Sequence, residues 1–140
     1  MNRRLAPAAL LLLAACGGAT DPEWRRVVGV VDVGDGAPGA LAVPDTVVAG
    51  VPFTATVTTF GSGSCTRPDG AELEVRGSVA DIVPYDRDAT GPRPCTDDLA
   101  PLPRDVRVRF TAPGRALVRV RGRALRGGFA DQEVGVVVRP

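Results

Sequence analysis

Apolar side chains recur at every second position over most of this chain, and that commits it to strands. Phe53, Ala55, Val57 and Thr59 alternate with Thr54, Thr56, Thr58 and Phe60. Leu73, Val75, Gly77 and Val79 alternate with Glu72, Glu74, Arg76 and Ser78. Val106, Val108 and Phe110 alternate with Asp105, Arg107 and Arg109, and Ala116, Val118 and Val120 alternate with Leu117, Arg119 and Arg121. A period of two sends successive side chains to opposite faces of a sheet, one toward a core and one toward water. Val27 to Val33 and Val134 to Val138 are further Val-rich runs. Ala40 to Val48 is extended but broken by Pro44, which suits an edge or a strand that changes sheets. Beyond the amino-terminal region no segment keeps a helical apolar period over three turns. The expected fold is therefore all-β, an antiparallel β-sandwich of about seven strands. Ala112-Pro113-Gly114 is expected to close a hairpin between two of them.

The start of the chain follows a different rule. Arg3 and Arg4 form a basic stretch, and Leu5 to Ala15 is an apolar run of 11 residues ending in small side chains. That is the layout of a cleavable secretory signal. A membrane-spanning helix needs about 20 apolar residues, so the run is too short to remain as one. Leu13-Ala14-Ala15-Cys16 resembles the lipobox of bacterial lipoproteins. The resemblance implies that the Cys16 thiol carries a diacylglyceryl group, that cleavage falls just before it, and that the freed amine is acylated too.

Residues 1–15 are then a lipoprotein signal peptide, 16–23 a lipidated tether and 24–140 the β domain. Two or more acyl chains give stable attachment, so the implied partner is a membrane and the implied address the cell envelope. Gly17 stands where an Asp would favour inner-membrane retention, which points to the outer membrane, facing the periplasm or the cell surface. The tether from Gly17 to Glu23 spans at most about 25 Å, so the domain rides close to the bilayer. Trp24, at its end, is expected to cap the core, the alternative being a place at the lipid interface.

With Cys16 lipidated, Cys65 and Cys95 remain, and an even pair in an oxidising compartment reads as a disulfide. Closing a loop of about 30 residues stabilises a fold by about 3.5 kcal/mol in the chain-entropy model. All 17 basic residues are Arg, against 16 acidic ones. Loss of Arg3 and Arg4 on cleavage leaves the chain near neutral, whereas nucleic-acid-binding domains carry a strong positive excess. No cofactor is implied.

Val43-Pro44-Asp45-Thr46-Val47, followed by Ala49-Gly50-Val51-Pro52-Phe53-Thr54, resembles the opening strands of bacterial immunoglobulin-like domains. Phe110-Thr111-Ala112-Pro113-Gly114-Arg115-Ala116, followed by Val118 and Val120, resembles their penultimate hairpin. The likeness spans about residues 43 to 138 and implies an immunoglobulin-like sandwich. No Trp lies between Cys65 and Cys95, unlike the antibody pattern, so a related sandwich or small barrel also fits.

Several residue groups are candidates for chemistry. Pro84 to Pro103 holds five prolines, the only Tyr and Cys95, and is expected to be a long loop tied down by Cys65 and suited to binding. Within it Asp86, Asp88, Thr90 and Asp97 follow the spacing of a calcium loop, although Pro92, Pro94, Arg87 and Arg93 oppose one; a polar turn is the expected state. Arg107, Arg109, Arg119 and Arg121 are expected to project outward from two paired strands as a basic stripe suited to anionic head groups or envelope polymers. Glu72 and Glu74 imitate a glycosidase pair in spacing. The chain has no His, which removes the commonest general base and metal ligand. The expected function is a non-enzymatic envelope lipoprotein with a structural or binding role toward an envelope protein or polymer. The alternatives are a small carboxylate-dependent hydrolase and a ligand carrier with a β-barrel interior.

Overall fold

The computed structural model describes residues 23–35 and 39–140. Cys16 and the expected signal segment lie outside the described residues. Among the described residues there is no helix, and ten strands follow in order: β1 (Trp24–Val28), β2 (Val30–Asp32), β3 (Leu41–Ala42), β4 (Thr46–Val48), β5 (Phe53–Gly61), β6 (Thr66–Arg76), β7 (Val79–Ala89), β8 (Ala100–Val108), β9 (Gly114–Ala124) and β10 (Phe129–Arg139).

All ten join one hydrogen-bonded sheet. Its longest ladders are antiparallel: β5 with β8, β6 with β7, and β9 with β10. Three others are parallel, β4 with β10, β2 with β9 and β7 with β9. The sheet is thus mixed, not antiparallel throughout, because strands distant in sequence are brought side by side. It curls around one core in which Val31, Val57, Ile82, Val108, Phe110, Val118 and Val120 are buried. On β5, β8, β9 and β10 the inward positions are those that the period-two pattern selects. On β6 they are not: Leu73 and Val75 are exposed, and the expected strand through Val79 turns back at Gly77 into β7, because β6 pairs only β7 at the edge of the sheet. Phe53 packs on Phe110 with ring centroids 5.9 Å apart.

The Ala112-Pro113-Gly114 turn is not a hairpin. β8 pairs β5, whereas β9 pairs β10, β7 and β2, so the turn carries the chain to another part of the sheet. Trp24 is also not part of the core. It sits half-buried at the start of β1, with the Arg67 guanidinium 4.3 Å from its ring centre.

Much of the expected loop from Pro84 to Pro103 is strand, and only residues 90–99 connect β7 to β8. Pro101 and Pro103 are tolerated because β8 has a ladder partner on one side only. Both prolines have the same parity, so the N–H each lacks falls on the edge away from β5. Pro84 lies where one partner of β7 gives way to another. β9 pairs Val79 to Ile82, and β1 pairs Tyr85 to Ala89.

That change of partner is a fork, and Gly29 sits in it. Its N–H donates to the Pro84 carbonyl at 2.9 Å and its carbonyl accepts the Arg123 N–H at 2.9 Å, so one residue stitches β7 to β9 where their own ladder ends. Side chains have no room there. A Cβ on Gly29 would lie 2.4 Å from Thr59 Cγ2, and one on Gly122 would lie 2.7 Å from the Gly29 carbonyl.

Candidate functional site

At the end of the domain where β1 begins, a cleft of about 440 Å³ opens between the 90–99 loop, the 61–65 turn and the end of β9. Its lining includes Ser62, Thr66, Asp86, Asp88, Thr96, Asp97, Asp98 and Arg123, with Phe60, Leu99 and Leu125 as apolar wall.

The loop is held by several bonds to one turn. Cys65 and Cys95 form a disulfide with Cα atoms 5.6 Å apart, as their pairing in the sequence suggests. The Ser62 hydroxyl donates to the Thr96 carbonyl at 2.9 Å, and the Thr96 N–H donates to Ser64 Oγ at 2.9 Å. Asp98 accepts the Gly63 N–H at 2.9 Å and the Thr96 hydroxyl. These two donors hold its carboxyl below the usual aspartate range, the Thr96 contact contributing most. The start of the domain joins the same cluster. Thr90 donates from its N–H at 2.7 Å and from its hydroxyl at 3.0 Å to the Glu23 carbonyl.

Beneath the cleft lies a buried ion pair. Asp86 on β7 is 1% exposed, and its Oδ1 accepts from the Thr59 hydroxyl at 2.9 Å and from Arg104 Nη2 at 2.5 Å. Arg104, on β8, also donates to the Gly70 carbonyl of β6 at 3.0 Å and to the Tyr85 carbonyl of β7. β8 and β6 share no ladder, so this side chain joins two strand edges that their backbones leave unpaired. The Arg104 Nε has no hydrogen-bond partner. Neither residue stands out by type, but parity marks both. Asp86 continues the inward series Ala80, Ile82, Pro84, and Arg104 precedes the inward series Val106, Val108, Phe110.

The four residues of the calcium-like spacing are not gathered into a cage. Asp86 is ion-paired, Asp88 accepts the Thr66 hydroxyl at 3.1 Å and faces Arg123 at 3.9 Å, Thr90 binds Glu23, and Asp97 lies exposed on the loop. Asp86 and Asp88 belong to a strand, where the chain cannot wrap an ion as a loop does. Among the described residues no group of three or more His, Cys, Asp or Glu is placed to hold a metal ion.

The basic stripe is divided. Arg107 and Arg109 are exposed on and just after β8, whereas Arg119 and Arg121 lie on β9, which does not pair with it. Arg119 is 2.8 Å from Glu133, and Arg121 is 3.6 Å from both Asp131 and Asp81. These two arginines are therefore neutralised by acids of neighbouring β10 and β7. Glu72 and Glu74 stand on the exposed strand β6, away from the cleft, with Glu72 beside Arg26 and Tyr85 and Glu74 held by Arg76. Of the carboxylates that line the cleft, Asp86, Asp88 and Asp97 belong to the calcium-like spacing, whereas Asp98 was not singled out by the sequence.

Chemically the cleft offers carboxylates that accept hydrogen bonds, hydroxyls that donate or accept them, and the Arg123 guanidinium that donates. No protein-family model matches the chain, and neither does any curated protein or solved structure.

Proposed function

We propose that this chain is a non-enzymatic, membrane-anchored envelope lipoprotein whose immunoglobulin-like sandwich makes binding or structural contacts through the loop cluster around the cleft. The observation that carries this reading is the Cys65–Cys95 disulfide, which fixes the 90–99 loop to the 61–65 turn beside the entry of the chain at Glu23. Such a bond persists in oxidising compartments, in keeping with the export that the Leu13 to Cys16 motif implies. The loop is the part of the domain best suited to present side chains, since a rigid scaffold positions it and few backbone bonds constrain its tip.

A sandwich is supported by the way the β5–β8 and β9–β10 pairs contribute Val57, Val108, Val118 and Val136 to one packed core. The buried cluster these pairs share favours a contact-making domain over a carrier, whose ligand would need an enclosed cavity. An aspartate held ionised at Asp98 and an ion-paired Asp86 favour binding over acid–base work, which needs a carboxyl raised toward neutrality.

Mass spectrometry of the full chain expressed in a Gram-negative host tests the reading. The expected product begins at Cys16, carries acyl mass and fractionates with membranes, while Cys16→Ala does not. A product that retains Met1, carries no acyl chain and stays in the cytosolic fraction overturns it.

A further inference from the structure

We propose that the end of the domain bearing Leu99, Leu125 and Phe129 docks on the surface of a zwitterionic bilayer, so that the acylated chain lies against the membrane in one orientation; this rests on the lipoprotein reading above. Large apolar side chains are exposed there. Phe129 is 81% exposed, Leu125 52% and Leu99 44%. Leu99 and Leu125 both line the mouth of the cleft. Phe129 opens β10 and pairs with Arg123 across the turn that carries Leu125, a turn closed by the Ala124 N–H donating to the Gly128 carbonyl at 3.0 Å.

What covers this patch follows from where the chain enters. Glu23 is fixed by Thr90, the first residue of the loop that ends at Leu99, and Trp24 pairs with Ala89 beside it. The seven residues Gly17 to Glu23 follow Cys16, a reach of at most about 25 Å. An acylated Cys16 therefore keeps this end, and not the Val51 end, next to the lipid. β5 runs between the two ends, from Phe53 to Gly61, nearly 30 Å at about 3.3 Å per residue.

Charge points to lipid that is not anionic. Arg93 in the loop, Arg126 in the turn and Arg123 beside Phe129 are matched by Asp97, Asp98 and Asp88, the last 3.9 Å from Arg123, so no basic excess surrounds the apolar group. Aromatic and aliphatic side chains at the rim of a domain partition into the interface between head groups and acyl chains without needing opposite charge. The Cys65–Cys95 disulfide and the Gly63 N–H bond to Asp98 tie down the loop that ends at Leu99, so less conformational freedom is lost on docking.

The test places an indole at either end of the full acylated chain, in vesicles of phosphatidylcholine that carry bromine on the acyl chains. Trp24→Phe removes the native indole, and Phe129→Trp or Val51→Trp then supplies a single one. Docking predicts that emission from position 129 is shifted to the blue and quenched, while emission from position 51 is neither. Leu99→Ser combined with Leu125→Ser should weaken the quenching at 129. Equal quenching, or none, at both positions of a chain shown by mass to be acylated overturns docking and leaves the lipoprotein reading intact. A blue shift at 129 without bromine quenching overturns it in favour of a protein occupant, such as a second copy. A chain found without acyl mass overturns the reading on which the proposal stands.

Discussion

The Arg104 guanidinium lies 2.5 Å from the Asp86 carboxylate, with 8% and 1% of the two side chains exposed. The pair joins β8 to β7 in the interior, and Arg104 continues to the Gly70 carbonyl on β6. Removing one charge from a buried pair leaves the other without compensation, at a cost of about 3–5 kcal/mol. Arg104→Met or Asp86→Leu alone should therefore lower stability by about that amount in urea unfolding, while the double substitution should recover a large part of it. A single variant as stable as the wild type would show that the pair does not close the curl.

The Gly29 junction predicts a steric effect at a residue that has no side chain of its own. A Cβ at Gly29 meets Thr59 Cγ2 at 2.4 Å and Asp86 Oδ2 at 2.8 Å. Gly29→Ala should cost about 1–3 kcal/mol by overpacking, with a matching fall in melting temperature. Gly135→Ala, where nothing lies within 4 Å of the added Cβ, is the control and should change stability little.

The disulfide and the hydrogen bonds of the 90–99 loop act on the same segment. Cys65→Ser with Cys95→Ser opens a loop with a sequence separation of 30. The folded state should lose about 3.5 kcal/mol, or less where strain or residual structure intervenes. Limited proteolysis should then cut within 90–99 before it cuts elsewhere.

Asp98 gives the loop a pH dependence of known sign. Its folded carboxyl lies below the usual aspartate range because Thr96 and the Gly63 N–H donate to the charged form. The unfolded state thus binds a proton more readily. The contact contributes fully above the unfolded pKa and is lost as the pH falls through the folded one. Hydrogen exchange at the Gly63 amide should be slow at neutral pH and speed up, relative to intrinsic rates, as the pH falls below the usual aspartate range. In Asp98→Ala the acceleration should already be present at neutral pH.

Most strands were legible because alternation at Phe53 to Thr59, Val106 to Phe110 and Ala116 to Val120 selects buried positions directly. The misplaced boundaries came from proline and from the turn at Gly77, through which the alternation of Leu73 to Val79 runs on although β6 ends at Arg76 and β7 begins at Val79. Pro84, Pro101 and Pro103 suggest loop, yet each occupies a place in a strand where a missing N–H leaves no ladder bond unmade. Pairing was less legible than position. Nothing local marks that β7 runs parallel to β9, or that the chain between β8 and β9 changes partners, since those choices depend on the fork around Gly29. The disulfide was readable by counting thiols. The cleft was not, because its walls come from five separated segments.

The parallel pairing of β4 with β10 sets Thr46 beside Val137 and Val48 beside Arg139, near the two extremes of the folded region. Long-range pairing of this kind is slow, since loop-closure entropy opposes contacts between distant residues before they are rewarded. A polypeptide emerging from a ribosome or a translocation pore cannot complete this sheet until β10 is free, and until then the edge of β9 that β10 covers stays open to pairing with other chains.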